Sequence, residues 1–206
     1  MLKIYGRESS SNVQKAMWAV GELGLEHQRI DQKGVFGSID TPEYRKLNPW
    51  ARIPTLEHDG IVIRQSNTIV RYLCAKYAKG SLWPEDLVER AEAESWMDWQ
   101  ITENQTHMVP VFWNLIRTKP EDRDEAAIAK GVEGLNQDFT ILNDHLADRK
   151  YVVGEHFTMG DIPPGVSAFR YLNLEIERPS LPNLEAWYER LTHREAYRKH
   201  VMLPLA

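Results

Sequence analysis

One cysteine, Cys74, is all that the 206-residue chain contains, so no intramolecular disulfide, no CxxC redox pair and no cysteine cage for a metal can be built. Any thiol chemistry must use a thiol that a ligand brings. No apolar run approaches the ~20 residues a membrane span needs, and the segment Met1 to Glu8 lacks the apolar core of a secretory signal. A soluble, cytoplasmic protein with no membrane partner is expected. Lysine and arginine form no block, and the net charge of -5 argues against nucleic acid or an anionic membrane, both of which need concentrated positive charge. An anionic small molecule would need only a local pocket. No internal repeat or low-complexity tract is present. With 42% hydrophobic and 27% charged residues the chain is expected to fold, as one large domain or two modest ones.

What is there reads in order. Leu2 to Gly6 alternates as a strand, Glu8 to Asn12 is rich in helix-capping types, and Ala16, Met17, Val20 and Leu23 recur at helical spacing until Gly24 stops them. His27 to Asp31 suits a second strand, and Gln32 to Asp40 a loop. Thr41-Pro42 introduces a short helix to Leu47, with Glu43 in its first turn. Pro54 to Glu57 and Ile61 to Arg64 flank Asp59-Gly60, a hairpin turn signal. Ser66 is expected to cap a helix carrying Ile69, Tyr72, Leu73 and Tyr77, with Cys74 as a small core residue. The order is β-α-β-α-β-β-α. Lys79 to Pro84 breaks the periodicity and is the candidate linker.

Beyond the linker no strand pattern recurs. Leu87 to Arg117 is expected as one long helix kinked at Pro110, which removes a backbone hydrogen bond, and Ala126 to Ala147 as another. Thr158 to Asp161 has capping-box spacing, with Phe157 and Ile162 as an apolar staple. Leu184 to His200 is the last helix expected, and Lys119 to Asp124 a solvated loop.

The order of the first 80 residues, Asn48-Pro49-Trp50-Ala51-Arg52-Ile53-Pro54-Thr55-Leu56, and Arg64-Gln65-Ser66-Asn67-Thr68-Ile69 resemble the N-terminal domain of cytosolic glutathione S-transferases. Tyr151 to Ile162 resembles the capping-box helix start of that family's second domain, and Pro182-Asn183-Leu184 through Trp187, with Arg190-Leu191, its terminal helix. The resemblance is to a bacterial, theta- or nu-like member of serine or asparagine type. It implies the GST fold, an α/β thioredoxin-like domain over 1–80 and an all-α domain over 87–206. It also implies a detoxifying cytoplasmic homodimer with glutathione as co-substrate, no metal, and a small hydrophobic electrophile as the other reactant.

By that resemblance Pro54 is cis, so that the Ile53 backbone pairs with the cysteinyl unit of glutathione. Gln65 and Ser66 take the γ-glutamyl end, Gln65 replacing the family's frequent Glu. Arg52 is suited to the glycyl carboxylate, with Lys33 or a residue near Phe36 as alternatives. A thiol of pKa about 8.5 is only about 3% ionised at pH 7, and lowering it by roughly 2 units requires about 2.7 kcal/mol. One hydrogen bond to the thiolate supplies roughly 1.5–3 kcal/mol. Ser10 is placed for that hydroxyl, with Ser11, then Asn12, as alternatives and Tyr5 ranked lower. His107, Pro110, Val111 and Trp113 are candidates for the electrophile side. Reduction of a mixed disulfide, or a binding protein without catalysis, are the rival readings.

Overall fold

In the computed structural model, which describes residues 1–32 and 39–206, the first domain is built on a four-stranded sheet of order β2-β1-β3-β4. Strand β1 (Leu2–Tyr5) runs parallel to β2 (His27–Ile30) and antiparallel to β3 (Thr55–His58), which pairs with β4 (Ile61–Arg64). The β3–β4 turn is the expected Asp59-Gly60 pair, both residues at positive φ (50° and 82°). Alternation sorts the two faces. Leu2 and Ile4 point into the core under α1 (Ser11–Glu22) and α3 (Ser66–Tyr77), which pack together. Tyr5 lies on the other face, edge-on to Tyr44 of α2 (Pro42–Leu47). Thr41 caps α2 as expected, its side chain accepting from the Tyr44 amide. Cys74 is fully buried in α3, and burial, aided by Glu22, pushes its thiol up to about 12, which leaves it inert. Lys33 and Phe36 lie outside the described residues.

The second domain is helical. Residues 87–117 run as one continuous helical rod: α4 (Leu87–Trp99), a π-type turn (Gln100–Asn104), α5 (Gln105–Phe112) and a second π-type turn (Trp113–Arg117). Pro110 is held within α5. Helix α6 (Glu125–His145) packs along α5, and the capping box at Thr158 opens a 3₁₀ turn (Met159–Asp161) that continues into α7 (Ile162–Asn173). The segment from Pro120 to Asp122, expected as loop, forms a short exposed 3₁₀ turn.

Two expectations are corrected. Ser66 does not cap α3; the cap position is Gln65, at φ 69°, and Ser66 is the first helical residue with its hydroxyl turned to Asn12. The last helix is two, α8 (Pro182–Thr192) and α9 (Glu195–His200). The break falls at Arg194, whose extended backbone lets its guanidinium grip both carboxylate oxygens of Glu22 on α1, at 2.8 and 2.7 Å.

Helix α1 is the seam between the domains. Its Trp18, fully buried, meets Phe157 and Tyr197 of the helical domain at ring separations of 5.3 and 4.6 Å. The approach depends on Gly165 of α7, where an added Cβ would stand 2.8 Å from the Trp18 ring. Asn67 of α3 donates to the Met97 carbonyl, and Arg71 pairs with Asp98 of α4. These contacts hold α1 and α3 against the helical domain.

Candidate functional site

A cleft of about 770 Å³ opens where the start of α1 faces α5 and α7. Ser10, Ser11, Asn12, Arg52, Ile53, Pro54, Gln65 and Ser66 all line it, so the residues singled out from the first domain converge on one wall.

Local chemistry explains how each is held. Ser10 sits at the cap position of α1 with extended backbone (φ -78°, ψ 121°), yet its side chain makes no capping bond to the helix amides. That leaves a buried hydroxyl at the positive end of a helix, facing the cleft. Asn12 Oδ1 accepts from Lys15 Nζ at 3.0 Å and from Ser66 Oγ at 3.3 Å, which fixes the orientation of its amide and ties α1 to α3. The Ile53–Pro54 peptide is cis, as expected. Beneath it Asn48 Nδ2 and Tyr44 Oη both donate to the Arg52 carbonyl, at 2.8 and 2.9 Å, and Asn48 Nδ2 also reaches Thr55 Oγ1. Asn48 is buried, so the Asn-Pro pair in the sequence marks a brace under the cleft wall.

On the helical side the structure separates the candidates. Trp113 lines the cleft with Gln105, Met108, Val109 and Phe112. Val111 does not: it is fully buried and faces Gly131 of α6. His107 is also turned away, its Nδ1 2.9 Å from Asp138 Oδ2 and its ring packed over Gly134. Pro110 likewise lies against Gly131. These three join α5 to α6. Tyr5 is occupied on the sheet, donating to Glu57 Oε2 at 3.1 Å.

Besides Arg45, which lines the cleft and pairs with Asp40, four basic residues were not foreseen. Arg7, Arg117 and Arg170 line the cleft, and Lys15 lies fully buried beneath Asn12, donating also to Gln100 Oε1. The signal was weak: a lysine inside the apolar stripe of α1, and an arginine four residues after Trp113. Burial, then the charge of Arg170, bring Lys15 down to about 7 from its ordinary 10.5. Between those values the unfolded chain binds the proton and the folded chain does not, so this group makes stability rise with pH from about 7 to 10. Thermal midpoints of the wild type and Lys15→Met across that range test it. The difference between wild type and variant is expected to shift in favour of the wild type as pH rises; a constant difference would contradict the burial argument.

A β-α-β-α-β-β-α domain docked on a helical bundle, with a buried serine hydroxyl and an Ile-Pro turn in the cleft between them, defines a thioredoxin-like fold of the transferase type. Comparison with known proteins agrees. Residues 9–76 match the N-terminal domain of glutathione S-transferase and residues 104–195 its C-terminal domain. The chain is 35% identical over the full length of both chains to the Escherichia coli protein named glutathione S-transferase GstB. It is 29% identical to glutathione S-transferase 3 of Zea mays, over 97% of this chain and 93% of that one. Among solved structures it matches the theta class glutathione S-transferase of Xanthomonas axonopodis pv. citri with glutathione bound, at 41% identity, TM-score 0.96, and 100% and 99% of the two chains. The chain belongs to the glutathione S-transferase family. No helix of the described residues is long and apolar enough to cross a membrane.

Proposed function

We propose that the protein binds reduced glutathione in this cleft, stabilises its thiolate through the Ser10 hydroxyl, and conjugates it to a small electrophile. The carrying observation is the uncommitted Ser10 hydroxyl at the N-terminus of α1, in the same cleft as Ile53, Gln65 and Ser66. A relative of 41% identity carries bound glutathione in its structure, which supports the same ligand here.

In this reading the Ile53 backbone pairs with the cysteinyl unit, Gln65 and Ser66 take the γ-glutamyl end, and Arg52 meets the glycyl carboxylate. The thiol gives its proton to water, and the thiolate accepts a hydrogen bond from Ser10. It then forms the sulfur–carbon bond while the leaving group departs with its electron pair. Met108, Phe112 and Trp113 offer the apolar surface for the second reactant. The hydroxyl and the helix end lower the thiol pKa, and the two domains hold the reactants together. A homodimer in the cytoplasm belongs to the same reading.

Two measurements test it. Calorimetric titration with millimolar glutathione is expected to give saturable heat; none would favour a binding protein without this ligand. Turnover of a model aryl halide is expected to exceed that of a glutathionyl mixed disulfide, and the reverse order would make the protein a disulfide reductase.

A further inference from the structure

Inside the helical rod two glutamines meet that a regular helix would keep apart. Gln100 and Gln105 are five positions apart, which at 3.6 residues per turn puts them about 140° from each other around the axis. The π-type turn at Gln100–Asn104 widens the coil, and Gln100 Nε2 donates to Gln105 Oε1 at 3.0 Å. Gln105 opens α5 and lines the cleft with Met108, Val109 and Phe112, which follow it at three, four and seven residues on one face. The pair is tied to α1, because Gln100 Oε1 accepts from the buried Lys15, whose Nζ also reaches Asn12 Oδ1 at 3.0 Å.

The polarity of this chain is set from the lysine end. As an ammonium Lys15 has donors only, and as the neutral amine it still has two N–H groups. Asn12 and Gln100 therefore each turn an oxygen to it on either side of its titration at about 7. With that oxygen committed, Gln100 has only its N–H2 to offer Gln105. Gln105 must receive it on Oε1, which leaves its own N–H2 as a donor in a residue that lines the cleft. Gln105 Nε2 meets no protein acceptor among the described residues. The wall it shares is otherwise apolar or aromatic, made of Met108, Val109, Phe112 and Trp113.

We propose that Gln105, aimed by Lys15 through Gln100, is a specificity-determining donor: its amide N–H binds an oxygen of the second reactant that becomes negative as the sulfur adds. The inference rests on the glutathione-conjugating reading above and narrows its substrate class to electrophiles whose attacked carbon is conjugated to a carbonyl or nitro oxygen. With an enone the thiolate sulfur bonds to the β-carbon, the alkene π pair shifts toward the carbonyl carbon, and the carbonyl π pair moves onto oxygen. The enolate oxygen accepts from Gln105, and water then returns a proton to the α-carbon. A donor already in place gains most where charge develops, so it favours the transition state over the bound reactant. Lys15 and Gln100 do not line the cleft and act as positioning residues.

The test compares benzylideneacetone, whose ketone oxygen gains the charge, with benzyl chloride, which has the same phenyl ring and no oxygen. For each, kcat/KM at saturating glutathione is divided by the uncatalysed rate constant with glutathione, and the ratio of enone to chloride is followed. Gln105→Leu is expected to lower that ratio roughly tenfold, the effect of losing one hydrogen bond to a developing oxyanion. Gln100→Glu is expected to lower it roughly fivefold or more, because the carboxylate still accepts from Lys15 but has no N–H, so Gln105 turns its own N–H2 inward to meet it. This second variant keeps the side-chain size and the partner of Lys15, so it reads polarity rather than packing. A ratio unmoved by both variants overturns the proposal; a fall of about tenfold in calorimetric glutathione affinity at the same time would mean that the amide serves glutathione instead. A ratio moved by Gln105→Leu and not by Gln100→Glu overturns the positioning role of Lys15 and Gln100. A wild type that binds glutathione and turns over neither compound removes the underlying function, and the proposal with it.

Discussion

Ser10→Ala is expected to lower kcat for aryl halide conjugation by roughly 10- to 100-fold while leaving glutathione affinity within about threefold, because in the proposed reading Ser10 gives the thiolate one hydrogen bond, worth roughly 1.5–3 kcal/mol. The split has a structural reason. The hydroxyl meets only the sulfur in this reading, whereas affinity is spread over the Ile53 backbone, the first turn of α3 and Arg52. Removing it should also move the pKa of bound thiol upward by about 1–2 units, visible in the pH dependence of kcat and in thiolate absorbance. The remaining depression comes from the end of α1, worth about 0.3–1 kcal/mol, and from the neighbouring cations. Ser11→Ala and Asn12→Ala are the comparators. If Ser10→Ala turns over normally and one of them does not, the donor is that residue. Asn12→Ala is expected to be more complex, since its Oδ1 also receives Lys15 and Ser66.

Asp161→Ala is expected to lose roughly 3–5 kcal/mol of stability, the largest effect of any single change considered. Asp161 is fully buried and receives three good donors: the Val152 amide, the Thr158 amide and Trp187 Nε1, each at 2.9 Å. Alanine strands all three. Each buried unpaired donor costs about 1–3 kcal/mol, and a protein of this kind has only about 5–15 kcal/mol in total. The carboxylate also joins three segments, the turn at Val152, the start of α7 and α8, so its loss should loosen the helical domain as a unit. Burial outweighs the three donors and raises its pKa to about 6, above the ordinary 3.8. The folded state therefore binds a proton that the unfolded state has lost between about pH 4 and 6, and this group's contribution falls as pH rises through that window. Urea midpoints for the wild type and Asp161→Ala across that range test both statements. A loss below about 1 kcal/mol would show that water or repacking replaces the carboxylate.

Much of the fold was legible because its signals are short-range. The capping box at Thr158, the Thr41-Pro42 helix start and the Asp59-Gly60 turn each depend on backbone groups within a few residues. Misreadings arose where a distant partner intervened. Ser66 has a capping residue's chemistry, but its hydroxyl turns to Asn12, which lies 54 positions away. The apolar spacing from Leu184 to Tyr197 continues through a break that Glu22 imposes through Arg194. His107 and Val111 have the composition of a substrate wall, yet the glycines of α6 draw them into the helix interface.

The sequence by itself determined the order of elements along the chain and the family resemblance, which in turn pointed to Ser10, Ile53, Pro54, Gln65 and Ser66 as candidates, because periodicity, turn chemistry and motif spacing are local properties of the chain. Only the tertiary structure decided which face of α5 meets the cleft, that Lys15 is sealed beneath Asn12, and that Arg7, Arg117 and Arg170 share one wall. Arg170 reaches a carbonyl 161 positions away, and no rule acting over one helical turn can bring such groups together. Their charge acts through space, so it became readable only once packing had fixed the distances.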